Sequence, residues 1–384
     1  MKRLNHLLAV FVIIIIPVQA KAQVGITGVP FLQIEPDSRG AGMGNTGTAI
    51  ADNAAAIYWN PAGLAFQRGS QISITHSNWL PNFDVGLFYD YLVGKTYIEG
   101  IGTIGGHITY LNLGEQIQTG ATGDLINRFR SYELAVGLSY GFEVSKNFAL
   151  GTGFRFIYSS LADGIVGGVD AQSVNPGSSV GVDLSFLYKS DPFALGSSGK
   201  QATFSVGSNL SNIGPGIQYT DNAQKDPLPT VLRLGTAFTM DLDEKGINRL
   251  TVTTDISKVM ARQEQDITIA PDGSADTSFV ASSPFDAIFN SWGSFSRFNG
   301  SETVTLGLLQ QLQIGAGAEY WYNNSFALRT GYYYEDPENG DRKFLTFGAG
   351  IRYDFIGVDF SYIQTLQSDH PLAGTLRFSL LFNF

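Results

Sequence analysis

The sequence predicts an all-β fold, a 14-stranded antiparallel transmembrane β-barrel, on three observations. A short apolar leader opens the chain, apolar and polar residues alternate with period two along most of it, and the links between alternating segments sort by length. Only helices and closed barrels satisfy every backbone hydrogen bond inside a bilayer, and a barrel strand shows lipid every second residue.

The leader comes first. Lys2 and Arg3 precede an apolar run from Leu7 to Val18, and Ala20-Lys21-Ala22 places small residues where a signal peptidase reads. These features predict a secretory signal over residues 1–22, with Gln23 as the mature N-terminus. The run is too short for a spanning helix, which takes about 20 residues. No later apolar run is long enough, although 43% of residues are hydrophobic and 12% aromatic. Only 15% are charged, against about 25% in a typical soluble domain. A lipid-facing wall accounts for that imbalance. The absence of cysteine excludes disulfides, thiolate catalysis and Cys-ligated metals. The formal charge of −10 becomes −13 once Lys2, Arg3 and Lys21 are removed, which argues against nucleic acid as a partner.

The alternation is clearest at the end of the chain. Leu376, Phe378, Leu380, Phe382 and Phe384 alternate with Thr375, Arg377, Ser379, Leu381 and Asn383. A terminal aromatic strand of this kind resembles that of bacterial outer-membrane proteins. The same pattern places Tyr132, Leu134, Val136, Leu138 and Tyr140 opposite Glu133, Ala135, Gly137 and Ser139. Strands are expected near 70–77, 84–92, 101–112, 130–142, 147–160, 178–189, 201–210, 229–241, 248–258, 308–322, 326–334, 343–355, 356–364 and 375–384. Residues 69–384 thus form the barrel, and residues 23–68 precede its first strand.

The links give an independent test. Those at 143–146, 190–200, 242–247, 323–325 and 355–356 are short, as periplasmic turns should be. Those at 113–129, 161–177, 211–228 and 259–307 are long, as surface loops should be.

With apolar faces outward, Asp84, Asp90, Glu133, Asp183, Asp255, Glu319, Asp354 and Asp359 point into the lumen. So do Arg155, Lys189, Arg233, Arg329, Arg352 and Arg377. A mixed interior suits pairing across the lumen, and a path for protons or substrate is the alternative. Inward glycines leave room for a plug against the wall.

The glycine run at 40–44 lacks the preceding strand and βαβ unit of a nucleotide loop, so flexible backbone is the better account. In the loop 259–307, Ser283 and Pro284 form a helix start. Phe285, Ile288, Phe289 and Trp292 then fall on one helical face, with Phe295 and Phe298 following. Such aromatic area packs into the barrel mouth, docks a partner or captures lipid. The acidic stretch 335–341 reads as a solvated turn, with Ca²⁺ ligation as the alternative. His6, His76, His107 and His370 fit no metal or triad spacing, so neither a cofactor nor a catalytic site is expected.

Ser38-Arg39-Gly40-Ala41-Gly42-Met43-Gly44, Trp59-Asn60-Pro61-Ala62-Gly63-Leu64 and Leu228-Pro229-Thr230-Val231-Leu232-Arg233-Leu234-Gly235 carry a resemblance. The chain resembles the PorV/PorQ family of the type IX secretion system, within the FadL-like barrel superfamily. That resemblance implies fourteen strands with a separate N-terminal hatch or plug over 23–68, whose motif maps to Asn60, Pro61, Ala62 and Gly63. It also implies a non-enzymatic outer-membrane shuttle that binds C-terminal domains of secreted cargo proteins. The implied partners are the type IX translocon barrel, the sortase/attachment complex and outer-membrane lipid or lipopolysaccharide. The rival expectation is a FadL-like channel for hydrophobic small molecules.

Overall fold

The computed structural model describes residues 27–384 except 121, 163, 167–171, 197–198, 220–224, 270–274, 299–302 and 368–369. The expected signal, residues 1–22, lies outside the described residues.

Fourteen long strands form the wall. They are β1 (Ser70–Asn78), β2 (Phe88–Ile98), β3 (Gly102–Thr119), β4 (Leu125–Ser145), β5 (Phe148–Ser160), β6 (Gly177–Lys189) and β7 (Gln201–Ile213), followed by β8 (Val231–Asp241), β9 (Asn248–Val259), β10 (Leu312–Tyr322), β11 (Phe326–Glu335), β12 (Lys343–Tyr353), β13 (Ile356–Thr365) and β14 (Leu376–Asn383). Each pairs antiparallel with the next, and β14 closes on β1 from Gln71↔Asn383 to Ser77↔Arg377. Closure removes the sheet edge that lipid could not tolerate.

Burial alternates along these strands, as in β5, where every second residue from Ala149 to Ile157 is buried and those between are exposed. Aromatic side chains band the outside. On β1–β5, His76, Phe88, Tyr110, Tyr132 and Tyr158 follow one another with ring centroids 5.7 to 6.0 Å apart. At the other end of the wall Tyr140 stacks on Phe142, and Phe148 on Phe186. The step from Tyr132 to Phe142, at about 3.3 Å per residue and a ~40° tilt, corresponds to about 25 Å, the height of a bilayer-spanning band.

Three expected elements differ. β2 begins at Phe88 rather than 84, because Leu80 and Asp84 take left-handed conformations around a 3₁₀ turn at Pro81–Phe83. β3 and β4 run on past the expected loop 113–129 as one long hairpin, with a bulge between Asn112 and Glu115. β10 begins at Leu312, after a 3₁₀ turn at Leu309–Gln311.

Three of the charges expected in the lumen are not there. Asp90 faces outward and pairs with His76 at 2.6 Å, within the aromatic band. Asp84 and Asp354 sit in turns with left-handed backbone.

Residues 27–69 occupy the lumen. They include α1 (Ser38–Ala41), α2 (Ala56–Trp59) and a 3₁₀ stretch at Pro61–Phe66. Their Phe31, Ile34, Ile57 and Leu64 form one core with the inward Tyr89, Tyr91, Ala135, Ala149 and Ile157 of the wall.

Candidate functional site: the lumen segment and the barrel mouth

Glycine lets the N-terminal segment lie directly on the wall. A Cβ at Gly151 of β5 would stand 2.1 Å from the Ala62 nitrogen, and one at Gly331 of β11 would stand 2.1 Å from that of Gly44. Any side chain there would displace the segment. Within the segment, a Cβ at Gly40 would fall 2.5 Å from the Trp59 ring, and Gly44 has φ +68°. Both positions in the motif 38–44 therefore require glycine.

Polar side chains then fix the segment in register. Asn60 Nδ2 donates to Thr48 O at 2.8 Å and to Phe186 O of β6 at 2.9 Å, while its Oδ1 accepts from Ala62 N at 3.1 Å. Ala62 N also donates to Ser185 Oγ at 3.0 Å, and Gly63 N to Asn60 O at 2.9 Å. Asn60, Pro61, Ala62 and Gly63 are thus a buried turn stapled to β6. On the opposite wall, Gly44 N donates to Thr346 Oγ1 at 2.8 Å and Ser38 N to Ser379 Oγ at 3.1 Å. Gly47 N and Thr48 N both donate to Asp255 Oδ2 at 3.0 Å. Asp37 caps α1 by accepting from Gly40 N at 3.1 Å and also accepts from Trp59 Nε1 at 2.7 Å.

The lumen charges form chains rather than a free path. Arg39 pairs with Asp52 and, at 2.7 Å, with Glu319 of β10. Glu319 accepts from Arg329 of β11 at 2.7 Å, Arg329 reaches Asp359 of β13 at 2.8 Å, and Asp359 accepts from Arg352 of β12 at 2.7 Å. Burial alone would lower the Arg39 pKa, but the carboxylates of Asp52 and Glu319 outweigh it and raise it well above the usual value. Arg155 pairs with Asp183, whose second oxygen accepts from Asn212 N at 2.8 Å. Arg233 donates to Tyr58 OH at 2.9 Å and lies 4.8 Å from the centre of that ring. Burial pushes the Tyr58 hydroxyl up to about 12, against the pull of Arg233. The role of Arg39 was not visible in the sequence. It lies outside the strands, where alternation assigns no face.

Cavities remain at both ends. One of about 570 Å³ opens at the mouth, between Phe31 and Ile34 of the segment and the long loops. Cavities of about 240 and 380 Å³ lie at the end of the short turns, near Lys95 and Asp241 respectively. The mouth cavity shares no lining residue with either of them.

The mouth carries α3 (Pro284–Asn290), capped by Ser283, whose side chain accepts from Asp286 N at 3.2 Å. Its inward face is Ala287 and Ser291, with Arg262 donating to Ser291 O at 2.8 Å. Phe285 and Phe289 point away from the barrel, 68% and 76% exposed. Trp292 is also exposed and Ile288 is half-buried. Phe295 instead turns inward beneath Arg262, 4.5 Å from ring centre to guanidinium, and lines the cavity. Phe298 ends the strand Phe295–Phe298, and its side chain lies outside the described residues. The expected single aromatic surface is therefore divided, with Phe285, Phe289 and Trp292 outward and Phe295 inward.

The acidic stretch 335–341 is more buried than a solvated turn. Glu335 is buried and pairs with Arg342 at 2.7 Å, Asp336 accepts from Glu338 N, and Asp341 pairs with Lys343 at 3.0 Å. Among the described residues no group of three His, Asp or Glu side chains is arranged to hold a metal ion.

A family model described as "Type IX secretion system protein PorV" matches residues 17–266. The chain belongs to the PorV family. Membership places it among proteins of the type IX secretion system. A comparison with curated proteins finds no match. Among solved structures, the Pseudomonas putida toluene transporter TodX is 14% identical, with 91% of this chain and 98% of that chain covered and a TM-score of 0.50. A TodX deltaS2S3 mutant monoaromatic hydrocarbon channel is 13% identical, with 92% and 100% covered and a TM-score of 0.50. The Ralstonia pickettii toluene transporter TbuX is 14% identical, with 91% and 98% covered and a TM-score of 0.47. The likeness to TodX is one of fold.

Proposed function

We propose that this PorV-family barrel is a non-enzymatic outer-membrane shuttle of type IX secretion. It binds the C-terminal domains of secreted cargo at its extracellular loops and carries cargo from the translocon barrel to the sortase/attachment complex. The observation that supports this reading is a lumen occupied by a segment hydrogen-bonded to opposite walls, beneath a mouth whose α3 presents Phe285, Phe289 and Trp292 outward. A barrel built to conduct needs a passage, whereas a carrier needs a docking surface on a rigid platform. Residues 27–69 serve here as a permanent hatch, and α3 as part of the docking surface.

Replacing Phe285, Phe289 and Trp292 together by serine tests the proposal. Cargo should no longer co-purify with the barrel from outer membranes in mild detergent, while barrel abundance stays normal. Undiminished recovery of cargo and normal cargo display would refute it.

The second reading, a channel for hydrophobic small molecules, draws on the mouth cavity and its apolar walls. The separate cavities at the two ends weigh against it. Uptake of toluene by liposomes containing the protein, above that of empty liposomes, would reinstate it.

A further inference from the structure

Three carboxylates line the mouth cavity of about 570 Å³, and two of them face a guanidinium. Glu335 accepts two hydrogen bonds from Arg342, and Glu35 stands 3.9 Å from Arg377. Glu133 of β4 has no such partner. It is only 2% exposed, and among the described residues no basic group pairs with it. Its Oε1 accepts from Ser159 Oγ of β5 at 2.9 Å, and Ser159 Oγ accepts in turn from Tyr219 OH at 3.0 Å. Its Oε2 has no hydrogen-bond partner and, unlike the sealed polar atoms of the lumen, keeps surface open to the cavity. Phe31, Leu111, Leu113 and Leu161 give the same cavity apolar walls, and Leu111 is the cross-strand neighbour of Glu133 on β3.

A carboxylate withdrawn from water without a cation is costly, so the open oxygen calls for a positive charge to enter. A metal ion fits poorly. Calcium and magnesium take about six or more oxygens, and among the described residues no group of three His, Asp or Glu side chains is arranged to hold one. A guanidinium is matched less well than an ammonium. Its fork pairs best with both oxygens of a carboxylate, and Ser159 already occupies one of them. An ammonium is a compact point charge that a single oxygen can serve, and its aliphatic stem lies along apolar walls while the head pairs.

We propose that Glu133 receives a primary ammonium carried on an aliphatic stem, which enters the mouth cavity and pairs with Oε2. Ser159 and Tyr219 are positioning residues that hold Oε1 and so aim Oε2 at the cavity. Two sources present this chemistry: a lysine side chain of a protein docked at the loops, and a free aliphatic amine. The lysine source rests on the shuttle reading, whereas binding of an ammonium does not. No residue of α3 lines the cavity, so binding here and cargo recovery through the α3 aromatics are independent readouts.

Calorimetric titration of the full-length protein in phosphatidylcholine nanodiscs with hexylammonium, hexylguanidinium and hexanol tests the site, with the heats of empty nanodiscs subtracted. Hexylammonium should bind about tenfold or more tighter than hexanol, because a hydrogen bond to a charged group exceeds a neutral one. It should also bind more tightly than hexylguanidinium. Glu133→Gln keeps an oxygen for Ser159 and the shape of the side chain, so the wall stays folded. It should bring hexylammonium down to the hexanol level and leave hexanol unchanged. Tyr219→Phe should weaken hexylammonium severalfold and leave hexanol unchanged, a split that loss of packing alone would not produce. Equal binding of hexylammonium and hexanol, hexylguanidinium binding as tight as hexylammonium, or indifference of hexylammonium to Glu133→Gln would overturn the proposal. Recovery of cargo with Glu133→Gln barrels separates the sources. Reduced recovery assigns a lysine of the cargo, unchanged recovery with hexylammonium binding lost assigns a free amine, and both outcomes uphold the site.

Discussion

Single residues decide whether the lumen is filled. Asn60 donates twice and accepts once, so no other side chain of its size repeats its pattern. Asn60→Asp turns two donations into repulsion against the carbonyls of Thr48 and Phe186. Orphaning buried groups costs about 1–3 kcal/mol each, so we expect a loss of that order or more. It would be read as a lower temperature for loss of heat-modifiable migration in gels. Gly151→Val presses a side chain onto Ala62 and should free the N-terminal segment to protease while the wall stays folded. Arg329→Met leaves Glu319 and Asp359 buried with one cation fewer, and breaking a buried pair in this way costs roughly 3–5 kcal/mol. A melting temperature unchanged by that substitution would contradict the described charge chain. These residues differed in legibility. Arg329 and Glu319 were visible as inward charges on alternating strands, but Arg39, the second partner of Glu319, was not, because its placement depends on how an irregular segment folds back.

Elements were legible wherever two different solvents met them. β14 alternates cleanly because one face meets lipid and the other the filled lumen. The ends of β3 and β4 were not legible, because past the aromatic band both faces meet water and residues 115–119 and 125–130 lose their period. The start of β2 failed for the opposite reason. Residues 84–87 imitate alternation, while the left-handed Leu80 and Asp84 fold them into a turn. Helix α3 was foreseen from its cap and spacing, but the direction its aromatic face takes depends on what the mouth offers, which periodicity does not encode. The turn at 242–247 between β8 and β9 has a pH signature. Asp243 accepts from the backbone nitrogens of Lys245, Ile247 and Asn248 and from the Asn248 side chain. The hydrogen bonds from Asn248 lead in holding its pKa down to about 2. The folded value lies below the unfolded one of about 3.9, so the stabilisation is complete above that pH and is lost as pH falls toward 2. A carboxyl carbon titration of Asp243 by NMR, showing a midpoint near 4, would contradict that turn geometry.

At the scale of the whole molecule, wall and N-terminal segment form one body. The Oγ atoms of Ser38 and Ser379 are 2.9 Å apart, and the chain has no native cysteine to interfere. A Ser38→Cys, Ser379→Cys pair should therefore oxidise to a single bridge that fixes the segment to β14. A shuttle should display cargo normally with the bridge closed. Display that fails when oxidised and returns on reduction would show that the segment moves during function. The barrel as a whole was the most legible feature of the sequence. The mouth cavity was the least, because its walls come from both ends of the chain and from loops between.

The grip of Ser379 on Ser38 also sets an order of assembly. The strand that seals the wall is the same strand that holds Ser38 of the N-terminal segment, so closing the seam also completes that tether. A polypeptide halted before β14 would leave an open sheet whose N-terminal segment keeps its hold on β6 and β12 but lacks the tether through Ser38.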